Sequence, residues 1–345
     1  MRKLKVGVIG LGMGRGHIRG YQGHPAANVV AIADVDANRL AEIGDKFNIP
    51  RRYTSAAEML EREKLDVVSV ATPNKFHMPL TIAALKAGAH VLCEKPMAMN
   101  AHEAAAMMAA AKRARRRIMI NFSYRFTEQS MSLKGEVDSG VLGKVYFART
   151  VWHRSRGIPG FGGWFGQKKL SGGGPLIDLG VHRLDLALWL MGYPKPVWVM
   201  GSAYNHIGSR LAKLKKKAFD VEDLAAGFIK FADGATLEIE ASWAANLPDA
   251  ELMETRLLGT KGGLLQRNLN GEYVFEAELH IEEKDGRVAR VKPRPVKATS
   301  AMYHFVESII KGKPHMADGS EGLTVMKLLD AIYASAAKGK PIRVS

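Results

Sequence analysis

The sequence predicts an α/β protein with a doubly wound parallel sheet followed by a larger, mostly antiparallel open sheet. At 345 residues the chain exceeds the size at which one hydrophobic core keeps growing, so we expect two domains. Short apolar strands alternate with helical segments in the first third, which is typical of a parallel sheet. Strand patterns with a period of two residues dominate the second half. We place the domains at residues 1–122 and 123–345, with the C-terminal helix free to pack back on the first.

The charge of the chain is strongly positive, with 50 Lys and Arg residues against 34 Asp and Glu, a net charge of +16. The basic residues cluster at 113–117 and 213–217, and the first cluster is explained by the dipole of a helix C-terminus. Neither cluster accompanies a zinc-finger spacing or an RNA-binding aromatic motif. We therefore expect no nucleic-acid partner.

The single cysteine, Cys93, excludes an internal disulfide and fits a reducing compartment. The N-terminal apolar run is short, is broken by glycines and leads into a nucleotide-loop pattern instead of a signal cleavage site. No stretch approaches the roughly 20 apolar residues of a membrane span. Without an HExxH motif or a Cys/His cluster, we expect no metal site. The sequence thus predicts a cytoplasmic protein with no membrane partner.

A glycine-rich loop follows the first predicted strand, at residues 4–9, and precedes a helix from about His17. A second strand at 29–33 ends at Asp34. This order is the dinucleotide-binding arrangement, in which backbone amides and a helix N-terminus bind the pyrophosphate. The predicted cofactor-binding residues of the loop are Gly10, Gly12, Met13, Gly14 and Arg15.

The loop departs from the standard fingerprint, because Arg15 stands at the third glycine position, as in a loop shortened by one residue. Asp34 lies 24 positions after Gly10 and would accept hydrogen bonds from the adenosine ribose. Its charge would repel a 2′-phosphate, which favours NAD. NADP is the alternative if Arg15 and Arg39 reach that phosphate.

Strands and helices keep alternating through the first domain. We predict helices at 55–62, 77–87 and up to 111, with Asn100 and Glu103 capping the last, and strands at 65–70, 90–93 and 118–120. Two polar loops each follow a strand, at the edge where doubly wound sheets bind ligands. Their residues, with one histidine on the next helix, complete the predicted cofactor site: Thr72, Pro73, Asn74, His77, Glu94 and Lys95.

Residues 171–189, SGGGPLIDLGVHRLDLALW, place an acid and a base at the mouth of an apolar helix. The glycines at 172–174 allow a tight turn and close approach by a large group. Asp178 and His182 are four residues apart, so they share one helical face, where a carboxylate can orient an imidazole and raise its basicity. The alternative is that Asp178 complements the helix dipole and His182 satisfies a buried polar need.

The second half reads as one broad antiparallel sheet. Strands are predicted at 143–151, 221–231, 235–243, 254–258 and 273–281, and helices at 302–310 and 321–337. Asp233 and Gly234 predict a hairpin turn between two of these strands.

Four motifs together resemble the Gfo/Idh/MocA family (glucose-fructose oxidoreductase, inositol dehydrogenase and rhizopine catabolism) over essentially the whole chain. They are the glycine loop, ATPN at 71–74, EKP at 94–96 and DxGxH from Asp178 to His182. The resemblance implies a Rossmann domain, an α/β domain whose sheet forms homodimers or homotetramers, and a cis Lys95–Pro96 peptide bond. It also implies that Lys95, Asp178 and His182 form the catalytic group.

The chemistry of alcohol oxidation fits these residues independently. Removal of hydride from a carbinol requires a base for the hydroxyl proton, a role that suits His182, with Asp178 stabilising the protonated form. Lys95 would hold the substrate oxygen. The sequence leaves open whether His182 or Lys95 takes the proton first.

The substrate candidates are aromatic or cationic residues near the predicted domain junction and on loops leading to the glycine run. Aromatic faces and hydrogen-bond donors suit the C–H faces and hydroxyl edges of sugars. Besides Lys95, Asp178 and His182, these candidates are Tyr124, Arg125, Trp152, His153, Trp164 and Lys168. Arg125 and Lys168 leave an anionic sugar open.

We therefore predict an NAD(P)-dependent dehydrogenase that acts on a secondary hydroxyl of a sugar, inositol or related polyol. Two alternatives remain at this stage. One is a lyase or glycosidase-type member of the family with a closed redox cycle, and the other is a non-catalytic NAD or sugar sensor.

Overall fold

The structure is a computed structural model that describes residues 2–344, and it divides into two compact units. The chain up to Phe122, together with Thr299–Met326, forms the first unit. Ser123–Ala298, together with the chain from Lys327, forms the second. The segment 299–326 completes the edge of the first unit's sheet, where the backbone amide of Ile120 donates to Ala317 O at 2.8 Å. Domain boundaries placed by sequence order alone, such as 1–122 and 123–345, do not show that residues 299–326 return to the first unit.

The first unit contains a six-stranded sheet with order β3-β2-β1-β4-β5-β6, in which every pair is parallel. Its strands are β1 Leu4–Ile9, β2 Ala27–Ala33, β3 Arg51–Tyr53, β4 Val67–Val70, β5 His90–Cys93 and β6 Ile118–Ile120. The order reverses between β1 and β4, which is the switch point where such sheets bind ligands. The prediction of a doubly wound parallel sheet is confirmed.

Five helices connect these strands: α1 Leu11–Gln22, α2 Ala37–Lys46, α3 Ala56–Arg62, α4 His77–Lys86 and α5 Ala101–Ala114. The predicted cap of α5 is confirmed, because the side chain of Asn100 accepts a hydrogen bond from the amide of Glu103 at 2.9 Å. The predicted start of the first helix at His17 is wrong. Gly10 alone makes the turn after β1, with a φ of 86°, so α1 begins at Leu11 and includes the later glycines of the loop.

The second unit, within the described residues, contains a nine-stranded sheet with order β14-β13-β12-β11-β7-β10-β9-β8-β15. Its strands are β7 Val145–Arg154, β8 Pro196–Tyr204, β9 Leu224–Phe231, β10 Thr236–Ser242, β11 Glu251–Gly259, β12 Gly262–Asn268, β13 Phe275–Glu282, β14 Val288–Val291 and β15 Ile342–Arg343. Neighbours are antiparallel except β7 and β10, which are parallel. The prediction of a large, mostly antiparallel sheet is confirmed.

The parallel pairing of β7 and β10 matters for the site, because it brings the ends of both strands to one edge. Trp152 on β7 lies opposite Ala241 on β10, and Trp243 follows β10. Both tryptophans belong to one buried cluster with Leu179, Val221 and Met253. The predicted hairpin between β9 and β10 is confirmed, with Gly234 at a φ of 90°.

The remaining helices are α6 Glu128–Asp138, α7 Lys168–Ser171, α8 Val181–Met191, α9 Ile207–Lys215, α10 Ala301–Ile310 and α11 Gly319–Lys338. A π-helical turn, Leu176–Gly180, leads directly into α8, and both segments are buried almost throughout. At Gly180, an added Cβ would lie 3.2 Å from the Cβ of Ala241, so this turn packs tightly on β10. Across residues 2–344, none of the helices has the length and hydrophobicity required to cross a membrane.

Candidate active site

The glycine loop of the first unit is shaped for the close approach of a ligand. At Gly10, an added Cβ would lie 2.5 Å from the carbonyl oxygen of Ala71, and the positive φ also favours glycine. At Gly12, an added Cβ would meet none of the described atoms within 4 Å apart from its neighbours and its own helix. The N-terminal turn of α1 therefore faces open space, as an anion-binding helix terminus requires.

Gly14 holds α1 against the sheet, because an added Cβ would lie 2.8 Å from Cγ1 of Val8 on β1. Close packing of helix on strand is the task of the third glycine in dinucleotide-binding loops. Gly14 meets this need one position earlier than the standard pattern, which accounts for Arg15 at the usual glycine position. Met13 and Arg15 are exposed on the first turns of α1.

Asp34 lies at the carboxyl end of β2 and is 8% exposed. Its Oδ2 accepts a hydrogen bond from the amide of Leu11 at 2.7 Å, and its Oδ1 accepts one from the amide of Asp36 at 2.9 Å. Nη1 of Arg39 lies 3.5 Å from both oxygens. The carboxylate thus fixes the start of α1 to the end of β2, with a half-exposed guanidinium beside it.

His77 links the two polar loops that follow β4 and β5. The ring is fully buried, with Nδ1 2.7 Å from the carbonyl oxygen of Pro96 and Nε2 2.8 Å from that of Thr72. Burial lowers the pKa of His77, and the two carbonyl oxygens oppose this effect. The side chain therefore ties the loops together. Within residues 2–344, Oγ1 of Thr72 is buried and has no hydrogen-bond partner.

Glu94 is held by a buried network that motif spacing does not reveal. Its Oε1 lies 2.7 Å from Nε2 of His17 and accepts from Nδ2 of Asn121 at 2.6 Å. Nδ1 of His17 lies 3.0 Å from Oγ of Ser69. Burial opposes ionisation of Glu94, but the hydrogen bonds from His17 and Asn121 and the charges of His17 and Lys95 together outweigh burial, and the pKa falls to about 2. The carboxylate also accepts from the amide of Lys95 at 3.1 Å, so the network orients the backbone at that lysine.

The peptide bond between Lys95 and Pro96 is cis, as the family resemblance implies. Lys95 is partly buried and follows β5 in the first unit, and Asn74 is buried in the turn after β4. Asp178 and His182 belong to the second unit.

The glycine run of the second unit allows the close approach that the sequence predicts. At Gly173, an added Cβ would lie 2.2 Å from the hydroxyl oxygen of Tyr333, and at Gly174 it would lie 2.1 Å from the carbonyl oxygen of Glu222. The Glu222 side chain accepts from the amides of Gly174 at 2.9 Å and Leu176 at 3.2 Å. The groups that approach these glycines are thus Glu222 and Tyr333 of the same chain. Glu222 also fixes the start of the π-helical turn at Leu176.

Asp178 lies in the π-helical turn and His182 in the first turn of α8, each 8% exposed. Oδ2 of Asp178 accepts a hydrogen bond from Nε1 of the buried Trp243 at 3.0 Å. The ring of His182 stands 5.1 Å from that of Tyr124, edge to face, and 5.6 Å from that of Trp152. An oriented carboxylate and an imidazole between two aromatic rings therefore lie close together on one helical segment of the second unit.

Of the predicted substrate residues, the structure gathers Tyr124 and Trp152 around His182 but not His153. Neighbouring residues on a strand face opposite ways, and Nε2 of His153 lies 3.4 Å from Oε2 of Glu240. Arg125 is fully buried and its Nε donates to Asp185 at 2.8 Å.

Trp164 and Lys168 lie on the segment before the glycine run. Trp164 stacks on Phe165 with 3.8 Å between ring centroids. The backbone amide of Lys168 donates to Asp220, while its side chain is exposed. Phe165 in turn packs against the buried cluster that contains Trp152 and Trp243.

Arg183 is an important residue that sequence reasoning missed. It is fully buried, and its guanidinium carbon lies 4.8 Å from the ring centroid of Tyr124, 5.5 Å from that of Trp152 and 5.2 Å from that of Phe275. Burial lowers its pKa to about 10, so it remains a cation at neutral pH. A single arginine after His182 carries no sequence signal that separates it from a surface residue.

Comparisons with known proteins match the chain over both units. The model of an oxidoreductase family with an NAD-binding Rossmann fold matches residues 4–122, and that of the family's C-terminal alpha/beta domain matches residues 134–344. The chain belongs to the Gfo/Idh/MocA oxidoreductase family. The resemblance inferred from its motifs is thereby confirmed, and the protein is an NAD-dependent oxidoreductase.

Two curated relatives of this family member cover nearly its full length. It is 31% identical to D-glucoside 3-dehydrogenase of Escherichia coli (strain K12), over 99% of the chain and 97% of that protein. It is 28% identical to myo-inositol 2-dehydrogenase of Thermotoga maritima, over 94% of each. Among solved structures, levoglucosan dehydrogenase in complex with NADH is similar, with a TM-score of 0.88, 26% identity and full coverage of both chains.

The first unit fits the cofactor of the family. The open space at Gly12 suits a pyrophosphate, and the carboxylate of Asp34 suits a ribose. Among the described residues the hydroxyl of Thr72 has no hydrogen-bond partner, which suits a polar group of the cofactor. Residues 2–344 contain no grouping of three or more His, Cys, Asp or Glu side chains suited to a metal ion.

The placement of Arg125 leads to a stability prediction. Asp185→Asn leaves a buried guanidinium without its carboxylate, so we expect a loss of about 3–5 kcal/mol, measured by urea unfolding. The double substitution Arg125→Met with Asp185→Leu removes both charges and should recover most of that loss. An Asp185→Asn variant as stable as the wild type would contradict a structural role for this pair.

A second prediction concerns Glu94 and pH. Because the folded pKa is about 2, below the ordinary 4.5, the carboxylate stabilises the fold fully above pH 4.5 and loses this effect as pH falls towards 2. Glu94→Gln should therefore lower stability by about 3 kcal/mol at pH 7, and the difference from wild type should shrink below pH 4.5. Urea midpoints across pH measure this, with the exposed Glu61→Gln as control; a pH-independent difference would refute it.

Proposed function

We propose that the protein oxidises a secondary hydroxyl group on the ring of a sugar or related polyol and passes the hydride to NAD. Two curated relatives act on such compounds, as their names D-glucoside 3-dehydrogenase and myo-inositol 2-dehydrogenase state. Within the chain, the observation that carries the proposal is the setting of His182. Its imidazole lies between Tyr124 and Trp152, one helical turn after a carboxylate that Trp243 orients.

The aromatic rings beside His182 suit a sugar ring as substrate. A pyranose or inositol ring has apolar C–H faces that pack on aromatic side chains, and hydroxyl edges that need hydrogen-bond partners. Tyr124, which is partly exposed, supplies the aromatic face, and Trp152, which is 3% exposed, packs against the Tyr124 ring. We therefore assign substrate binding to Tyr124, supported by Trp152, together with Lys95, Asp178 and His182. Arg125 is engaged by the carboxylate of Asp185, and His153 faces away from Trp152 on β7, so we leave both out of this set.

We assign to His182 the role of accepting the proton of the substrate hydroxyl. When NAD is bound, it supplies the acceptor for the hydride that leaves the carbinol carbon. The hydroxyl proton must leave as the carbonyl forms, and Nε2 or Nδ1 of His182 accepts it as the general base. Asp178 stabilises the resulting imidazolium, and Lys95 holds the substrate oxygen while negative charge develops on it.

Cofactor binding is assigned to the first unit. The amides at the start of α1, beside Gly10 and Gly12, bind the pyrophosphate, and Asp34 accepts hydrogen bonds from the adenosine ribose. Glu94 and His77 act on the cofactor through the loops that they fix. The negative charge of Asp34 disfavours a 2′-phosphate, although Arg39 beside it reduces that effect.

Assembly and location are further parts of the proposal. Met200, Phe228 and Tyr204 expose 37–46% of their surfaces on β8 and β9, and Trp198 stacks on Phe228 at 6.2 Å. Such apolar surface on a sheet face supports a homodimer or homotetramer formed through the nine-stranded sheet. The single buried thiol of Cys93 supports a cytoplasmic location.

The substrate prediction is tested by following NADH absorbance with purified protein. We expect NADH to form with NAD and at least one member of a panel of methyl glucosides, inositols, levoglucosan, aldoses and sugar acids. NAD should be preferred over NADP by about 10-fold or more, and Asp34→Ala should reduce that preference. Sugar conversion without net NADH would replace this proposal with a closed redox cycle, and binding without conversion would indicate a sensor.

The assignment of Lys95 and His182 is tested by substitution. Lys95→Ala and His182→Ala should each lower kcat by at least about 100-fold, because each removes a group that acts on the reacting oxygen or its proton. The affinity for NAD, measured by calorimetry, should stay close to that of the wild type. His102, an exposed histidine on α5, provides the control His102→Ala. Near-normal turnover in either active-site variant would overturn the assignment.

A further inference from the structure

The second unit contains a groove of about 510 Å³ next to the His182 cluster. It is open to solvent and lined by seven residues, from the start of this unit and from the segment that leads into β13: Ser123, Tyr124, Thr127, Gln129, Tyr273, Val274 and Phe275. The functional assignment above uses only Tyr124 from this set.

The chemistry of the lining points to a neutral ligand with a flat face. The lining side chains are aromatic, aliphatic, hydroxyl or amide groups, and no lining residue carries a charge. Tyr273 and Val274 are 56% and 55% exposed, so the groove offers apolar surface to solvent at one wall. Aromatic faces with a few neutral polar groups are suited to a sugar ring or an aromatic ring.

Tyr124 connects the groove to the proposed base. Its ring forms part of the groove wall and also stands edge to face with His182 at 5.1 Å. A ligand in the groove therefore lies one aromatic ring away from the imidazole.

The exposed wall of the groove is held in place. The hydroxyl of Tyr273 accepts from Nη2 of Arg154 at 2.7 Å and donates to Oε1 of Glu251 at 3.0 Å. Nε2 of Gln129 donates to the carbonyl oxygen of Phe275 at 3.3 Å. A tyrosine anchored at its hydroxyl loses little conformational entropy on ligand binding, so its ring is a preformed platform.

The buried cation Arg183 lies against the rings of Tyr124 and Phe275. Its contacts fix these two rings from the protein side and leave Tyr273 as the solvent-facing wall. Arg154 and Glu251, which bond to the Tyr273 hydroxyl, form an ion pair with 2.7 Å between Nε and Oε1. The exposed wall at Tyr273 therefore carries balanced charges, while the Arg183 cation lies behind the rings of Tyr124 and Phe275.

We propose that this groove is a subsite for the second ring of a neutral glycoside, either a second sugar or an aromatic aglycone, whose first ring is oxidised beside His182. The proposal rests on the function proposed above and extends it, because it names a two-ring glycoside as the preferred substrate class. Free monosaccharides and methyl glycosides would leave the groove empty and bind more weakly.

The test compares methyl β-D-glucoside with cellobiose, maltose and phenyl β-D-glucoside, in wild type and in Tyr273→Ala. We expect at least one two-ring compound to have the higher kcat/KM in wild type. Tyr273→Ala should raise KM for that compound about 10-fold, with kcat little changed, and should alter methyl glucoside less than about 2-fold. Tyr273→Phe keeps the ring and should stay close to wild type.

The matched control is Tyr146→Ala, because Tyr146 is 50% exposed on β7 and does not line the groove. This substitution should leave kcat/KM unchanged for both one-ring and two-ring substrates. Thermal melts of each variant identify any general loss of folding. Equal kcat/KM values for one-ring and two-ring compounds in wild type, or an equal effect of Tyr273→Ala on both, would overturn the subsite.

Direct binding separates this proposal from the function on which it rests. In the NAD-loaded protein, calorimetry with cellobiose, maltose and phenyl glucoside should show binding that Tyr273→Ala weakens. If no sugar is oxidised but this binding is found, the proposed oxidation is refuted and the proposed subsite is supported. If sugars are oxidised but Tyr273→Ala leaves two-ring binding unchanged, the groove fails and the function stands.

Discussion

The buried carboxylate of Glu222 is the interaction on which the site of the second unit depends. It accepts hydrogen bonds from the amides of Gly174 and Leu176 and from the hydroxyl of Tyr333 at 2.8 Å. Burial raises its pKa above the usual range, while these donors favour the charged form. Because the π-helical turn begins at Leu176, this one side chain sets where the helix that carries Asp178 and His182 starts. The glycines are required so that Glu222 and Tyr333 can come close enough.

In the first unit, two histidines hold the backbone of the site in place. His17 orients Glu94, and His77 spans the carbonyl groups of Thr72 and Pro96. Loops at the carboxyl ends of strands are mobile unless their polar groups are paired. These contacts give the loops a fixed shape beside the open turn at Gly12. Some polar residues of the family's motifs therefore hold backbone in place, and under the proposed function this is the backbone that contacts the cofactor.

Much of the fold was predictable because its signals are local. The cap at Asn100 and the hairpin at Gly234 each depend on residues a few positions apart. Strand β12 was not predicted from the sequence, because paired glycines and paired leucines replace the usual alternation of polar and apolar residues. Strand β8 was also missed, because that strand begins with Pro196. Contacts of Asp178 with Trp243, 65 residues away, leave no mark in the sequence. Arg125 shows the same limit, since an arginine that binds a ligand and one that pairs with Asp185 look alike before folding.

The return of residues 299–326 to the first unit has a consequence for how the chain folds. A ribosome releases the N-terminal strands long before this segment exists, yet Ile120 donates to Ala317, and Arg117 donates to the carbonyl oxygens of Ser308 and Lys313. Until the segment arrives, the β6 edge presents unpaired backbone groups, which invite association with other chains. The first unit must therefore remain incomplete, and exposed to misassembly, until the segment 299–326 has been synthesised. A fragment ending at residue 122 keeps that open edge permanently.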